Sequence, residues 1–242
     1  MKQALALLLA LTAGAALADQ SGGLTQYRIN QDLAGGDTTL QAQGSFFYEW
    51  DGTYLFQADA GMTRLQGGSG SDTSLGIHGG VNLSQEFTVG AFAGWEGFAD
   101  LPSDYFYHGV EFAYRTGNTN IQLYTRRQSS DFLGIDNVAY GGNAEIYVND
   151  QLTLVGRGIL QDNDATDRFT TLIAAGIDYT LPNGVTLSGE LATWDKKVAW
   201  VPDASGQSIS LGAKYFIGDR SQLFPDRSTV SSLFGTDLLP IN

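Results

Sequence analysis

Apolar and polar side chains alternate along most of this chain with a period of two. Between Ser74 and Leu83, the apolar side chains occupy odd-numbered positions and small or polar ones occupy even-numbered positions. The segments Phe169–Leu181 and Ser208–Ile217 also carry their apolar stripe on odd-numbered positions. Successive side chains of a β-strand point to opposite faces, so each segment predicts a strand with one apolar and one polar face.

Short turn signals divide the strands into hairpins. Asp51-Gly52 and Asn183-Gly184 are tight-turn dipeptides, and further turns near positions 85, 118, 150 and 218 complete a series spaced 32 to 35 residues apart. Longer polar segments between them predict loops at residues 67–72, 97–104, 129–137, 162–167 and 195–206. The predicted strands are residues 24–33, 38–50, 53–66, 73–83, 86–96, 105–116, 119–128, 138–148, 151–161, 168–181, 185–194 and 207–217.

This arrangement predicts an all-β fold: a closed antiparallel transmembrane β-barrel of about 12 strands, with short periplasmic turns and longer extracellular loops. The alternative is a soluble β-sandwich, which would bury the apolar face instead of exposing it to lipid. The alternation of short and long connections favours the barrel. So do aromatic residues near strand ends, which suggest interfacial girdles: Tyr48, Trp50, Tyr54, Tyr105, Phe106, Tyr107, Tyr179, Trp194, Trp200, Tyr215 and Phe216.

The two ends of the chain differ from this pattern. Residues 1–18 predict a cleaved signal peptide, because Lys2 precedes an apolar run that ends at the cleavage site Ala16-Leu17-Ala18. The barrel is then residues 19–217, and residues 218–242 form a periplasmic tail. The tail is too apolar for a simple linker, so it either folds beneath the barrel or docks inside it.

Composition and charge exclude several classes of function. The net charge of −13 argues against a nucleic-acid partner. The chain has no cysteine and only two histidines, His78 and His108, so we expect no metal site and no cofactor. Neither histidine has a serine two residues away, the spacing expected of a barrel lipid hydrolase. We therefore expect no enzymatic activity.

The predicted register places a set of charged residues on the inner face as pore-lining candidates. The acids are Asp32, Glu49, Asp59, Glu96, Glu111, Glu145, Asp178 and Glu190. The bases are Arg28, Arg115, Arg126, Arg157 and Lys214, and His78 faces the same way. The excess of acids predicts a weak cation preference, unless these groups only pair with one another. Inward glycines predict open space in the lumen: Gly61, Gly76, Gly80, Gly90, Gly94, Gly109, Gly141, Gly176 and Gly212.

The final strand carries a resemblance to a known family. Ser210, Gly212, Tyr215 and Ile217 match the order of polar, glycine, aromatic and apolar residues in the terminal-strand signal of bacterial outer-membrane barrels. The resemblance implies an outer-membrane location, contact with the barrel assembly machinery through Gly212, Tyr215 and Ile217, and contact with lipid and lipopolysaccharide.

In size and strand count the chain resembles small porin-like channels for acidic sugars and oligosaccharides, but it lacks their strongly basic lumen. We expect a weakly cation-preferring channel for passive diffusion of small hydrophilic solutes. The alternative is a non-conducting structural or adhesion barrel that binds a partner through its loops.

Overall fold

The computed structural model describes residues 21–33, 38–66, 70–99, 104–130, 135–163, 168–198, 201–218 and 224. Twelve antiparallel strands pair in sequence order, and the first pairs with the last, so the sheet closes into a barrel. The predicted closed barrel of twelve strands is confirmed. The strands are β1 (Ser21–Asp32), β2 (Thr38–Trp50), β3 (Tyr54–Leu65), β4 (Asp72–Asn82), β5 (Phe87–Gly97), β6 (Asp104–Thr116), β7 (Thr119–Ser130), β8 (Ile135–Tyr147), β9 (Leu152–Asn163), β10 (Arg168–Thr180), β11 (Val185–Val198) and β12 (Val201–Ile217).

Burial follows the period of two seen in the sequence, with the apolar face outside. In β4, Leu75 and Ile77 are exposed on the outer wall, whereas Ser74 and His78 are buried inside. Each of the twelve strands places at least one large apolar side chain on the outer surface. A continuous apolar belt of this extent is unfavourable in water and suits a lipid environment. Among the described residues, no helix has the length and apolar character needed to cross a membrane.

Short turns gather at one end of the barrel, called the turn end from here on. Asp51 and Gly52 both have positive φ, and the Thr53 amide donates a 3.1 Å hydrogen bond to the Trp50 carbonyl. This geometry is the type I′ turn that the Asp-Gly dipeptide favours. The first strand begins and the last strand ends at this same end, where Gly23 pairs with Ile217.

Two predicted loops at the opposite end are shorter than expected. The segment 129–137 is partly taken up by β7 and β8, and most of 195–206 belongs to β11 and β12. These stretches are more polar than the strands that flank them, and for this reason the sequence predicts loops. The backbone ladder does not require apolar side chains, so the strands continue past the apolar belt, with a register shift between Lys196 and Val198.

The aromatic girdle is partly as predicted. Trp50 and Tyr54 pack together outside the turn end, with ring centroids 5.9 Å apart. Tyr105 and Tyr107, however, are fully buried inside the barrel, and Phe216 shares the inner face with the buried residues that it packs against. Whether each aromatic side chain faces the lumen or the outside depends on its position in the alternating pattern of the strand, and not on its distance from the strand end. Trp200 and the signal peptide, residues 1–18, lie outside the described residues.

Candidate functional site

The structure places all thirteen charged candidates on the inner face of the barrel. Seven are buried: Arg28, Asp59, Glu96, Glu111, Arg126, Asp178 and Glu190. Six are half-buried: Asp32, Glu49, Arg115, Glu145, Arg157 and Lys214. They do not form one cluster, because they are spread over opposite walls and different heights of the lumen.

One wall, formed by β9 to β12 and β1, carries a network of ion pairs. Lys214 Nζ lies 2.9 Å from Asp178 Oδ2. Arg157 pairs with Glu190 and donates a 3.0 Å hydrogen bond from Nε to Oε2. Arg28 lies on the other side of Glu190, with an N–O distance of 4.0 Å. Each pair joins two strands of the same wall that are separated by one other strand, so the charged groups are fixed along the wall without bridging the lumen.

This charged wall borders a cavity of about 140 Å³. Amide side chains line its remaining polar surface, including Gln26, Gln43, Gln122 and Asn143. The volume suffices for on the order of ten water molecules. A second, wider space of about 700 Å³ opens at the turn end and is bordered by Glu49, Glu86 and Arg115. Asn120 lines both spaces and therefore stands between them.

The opposite wall holds a buried histidine between two carboxylates. His78 on β4 lies 2.7 Å from Asp59 Oδ2 through Nε2 and 2.6 Å from Glu111 Oε1 through Nδ1. The Nδ1 contact is a hydrogen bond, and the Nε2 contact is at ion-pair distance, so the imidazole lies between two carboxylates.

Inward glycines on the β5–β8 wall do not leave the open space that the sequence predicted. A Cβ at Gly94 would lie 2.2 Å from the Tyr107 ring, and one at Gly141 would lie 2.4 Å from the Tyr124 ring. These glycines let inward aromatic rings lie directly against the sheet. The prediction of open space from these glycines is therefore wrong for this wall. The sequence does not show which glycine lies against a ring, because that pairing depends on the register between strands.

Phe224 is a buried residue of the lumen that sequence reasoning did not single out. It follows the last strand, yet it is buried inside the barrel and packs with Phe47, Leu55 and Ala113. Of the two positions expected for the tail, the structure therefore places Phe224 within the lumen. The apolar composition of the tail was the sequence signal, but it could not identify the contact residue.

The two histidines lie on opposite faces of the barrel wall. His108 is exposed on the outer face, away from the lumen, and His78 is engaged by two carboxylates. Within the described part of the chain, no group of three or more histidine, aspartate or glutamate side chains is arranged to hold a metal ion.

Comparison with solved structures identifies the same fold. The NanC porin aligns with a TM-score of 0.62 at 13% identity, covering 79% of this chain and 98% of that chain. The KdgM porin aligns with a TM-score of 0.58 at 9% identity, again over 79% and 98%. An outer-membrane channel from Pseudomonas putida F1 aligns with a TM-score of 0.56 at 10% identity, over 82% and 96%.

No family model and no curated protein matches the sequence. At these identities the structural likeness establishes the fold, and the predicted architectural resemblance to small porin-like barrels is confirmed.

Proposed function

We propose that this chain is an outer-membrane channel through which small hydrophilic solutes diffuse passively. The observation that carries the proposal is the inverted barrel, with a continuous apolar outer belt around a charged and amide-rich interior that contains a cavity. An apolar exterior suits lipid, and a polar interior suits water and polar solutes. Two porins and an outer-membrane channel share this fold, which supports a channel function.

The transport path runs along the ion-paired wall. It passes from the 140 Å³ cavity, past Asn120, to the wider space at the turn end. Aromatic rings occupy the β5–β8 wall, so the path occupies only part of the barrel's cross-section. A path of this kind selects by size, admitting small solutes and excluding oligomers.

A weak cation preference follows from the distribution of charge. Five basic and eight acidic candidates face the lumen, and the pairs Lys214–Asp178 and Arg157–Glu190 cancel charge beside the cavity. The remaining excess is acidic and includes Glu49 at the turn-end space. Acidic groups along a pore raise the local concentration of cations.

The outer surface supplies the proposed partners. Its apolar belt contacts outer-membrane lipid, with lipopolysaccharide in the outer leaflet. In β12, Tyr215 is exposed on the outer wall. Gly212 lies on the inner wall, two residues after Ser210 and three before Tyr215. With Ile217, they form the proposed contact with the barrel assembly machinery.

A non-conducting barrel that binds a partner through its loops is the second candidate. The observation in its favour is the burial of Phe224 and several aromatic rings inside the lumen. Solute-permeability measurements separate the two functions. Proteoliposomes containing the chain are placed in isotonic solutions of neutral sugars of increasing size, with protein-free liposomes as the control. A channel produces swelling that slows as the sugar grows, whereas a folded, inserted protein that gives no swelling with any sugar overturns the channel proposal.

A further inference from the structure

Phe224 lies inside the barrel near the turn end. The last strand stops at Ile217, and Phe224 lies six positions beyond Gly218. Six residues span at most about 21 Å when extended. Gln57, which contacts Phe224, lies three residues inside the barrel from the start of β3, a depth of about 10 Å. The connection is therefore within reach of the chain.

Gln57 binds the main chain of Phe224 at both of its polar groups. The Phe224 amide donates a 2.9 Å hydrogen bond to Gln57 Oε1, and Gln57 Nε2 donates a 2.7 Å hydrogen bond to the Phe224 carbonyl. Paired residues in an antiparallel ladder exchange the same two bonds. The side chain of Gln57 thus takes the place of a neighbouring strand for this one residue. Gln57 Nε2 also lies 2.9 Å from Asp59 Oδ1, which orients the amide group.

The aromatic ring of Phe224 packs against His78 and Gly80. It stacks on the His78 ring, with centroids 6.0 Å apart and an interplanar angle of 11°. His78 is held on its other sides by Asp59 and Glu111. The ring also covers Gly80, where a Cβ would meet Phe224 Cε2 at 3.4 Å. Phe224 is 1% exposed, so little of it is left to water.

We infer that Phe224 is a resident plug that narrows the channel at the turn-end half of the lumen. This inference rests on the proposed function. The ring borders the 140 Å³ cavity, so it forms part of the wall past which a solute would move. The plug is held by hydrogen bonds and stacking, not by a covalent bond, so its displacement opens the path.

Single-channel recording of the full mature chain tests the plug. Phe224→Ala should raise the unit conductance by about twofold or more, because a ring that restricts the lumen is removed. Phe56→Ala is the matched control, since it removes the same ring at nearly the same height, but from the outer wall, where Phe56 is exposed. The control should conduct like the wild type. Heat-modifiable mobility on a gel confirms that each variant has folded.

Limited trypsin digestion tests whether Gln57 holds the tail, and this test does not depend on conduction. Arg220 and Arg227 flank Phe224 in the sequence. Gln57→Ala removes both main-chain hydrogen bonds, so cleavage after these arginines should become about tenfold faster in the folded barrel. Equal cleavage rates in the wild type and Gln57→Ala would show that Gln57 does not hold the tail.

The outcomes separate the plug from the channel. A conducting wild type with a larger conductance in Phe224→Ala supports both. A conducting wild type that Phe224→Ala leaves unchanged overturns the plug and leaves the channel intact. A silent wild type with a conducting Phe224→Ala supports the plug and overturns an open resting channel. If neither the wild type nor Phe224→Ala conducts, both the channel and the plug are overturned.

Discussion

A lysine on the outer wall should have an effect that depends on its depth in the membrane. Ile77 lies at the centre of β4, and Leu83 lies just past its turn end on the same face. Both side chains are 65% exposed. Six strand residues at about 3.3 Å each, tilted by about 40°, separate them by about 15 Å along the membrane normal. If Ile77 is near the midplane, Leu83 is therefore at the edge of an apolar band about 25 Å tall.

Ile77→Lys should therefore destabilise the barrel by about 2–4 kcal/mol, and Leu83→Lys by only about 0–1 kcal/mol. The assay is reversible urea unfolding in lipid vesicles, followed by tryptophan fluorescence. The two residues are equally exposed, so a barrel surrounded by water would tolerate both lysines alike. A difference below about 0.5 kcal/mol would refute the assignment of the outer wall to lipid.

Two further pairs of substitutions test the interior. Gly94→Ala should lower the free energy of unfolding by about 1–3 kcal/mol, because its Cβ would lie 2.2 Å from the Tyr107 ring. Gly79→Ala is the control: its Cβ would have no atom within 4 Å, so the loss should be less than about 0.5 kcal/mol. Similar urea midpoints for the two variants would contradict the packing. Glu190→Gln should shift the reversal potential in a KCl gradient towards anions, and Lys214→Gln should shift it towards cations. One charge at about 5 Å in water changes the local concentration of each ion about fourfold. Shifts of the same sign in both variants would rule out a path along this wall.

The barrel itself could be predicted because its signals are local. The period of two along each strand and turn dipeptides such as Asp51-Gly52 need only neighbouring residues to be interpreted. Closure then followed from the even number of strands and the shared position of their turns. The same alternation also located the inward charges, since a side chain's face depends only on its place in the strand.

The content of the lumen could not be predicted because it depends on contacts between distant residues. Gln57 and Phe224 are 167 positions apart, and no periodicity links them. Tyr107 lies over Gly94 only because β5 and β6 pair in one particular register. The sequence therefore identifies the inward glycines, but it does not show that aromatic rings pack against them.

The most direct test of the account is single-channel recording of the refolded chain without its predicted signal, residues 19–242, in a planar bilayer under a KCl gradient. We expect small discrete conductance steps and a reversal potential displaced towards that of a cation-selective pore. A protein that folds and inserts but produces no steps would contradict the account, and a reversal potential on the anion side would contradict the proposed role of its acidic lumen.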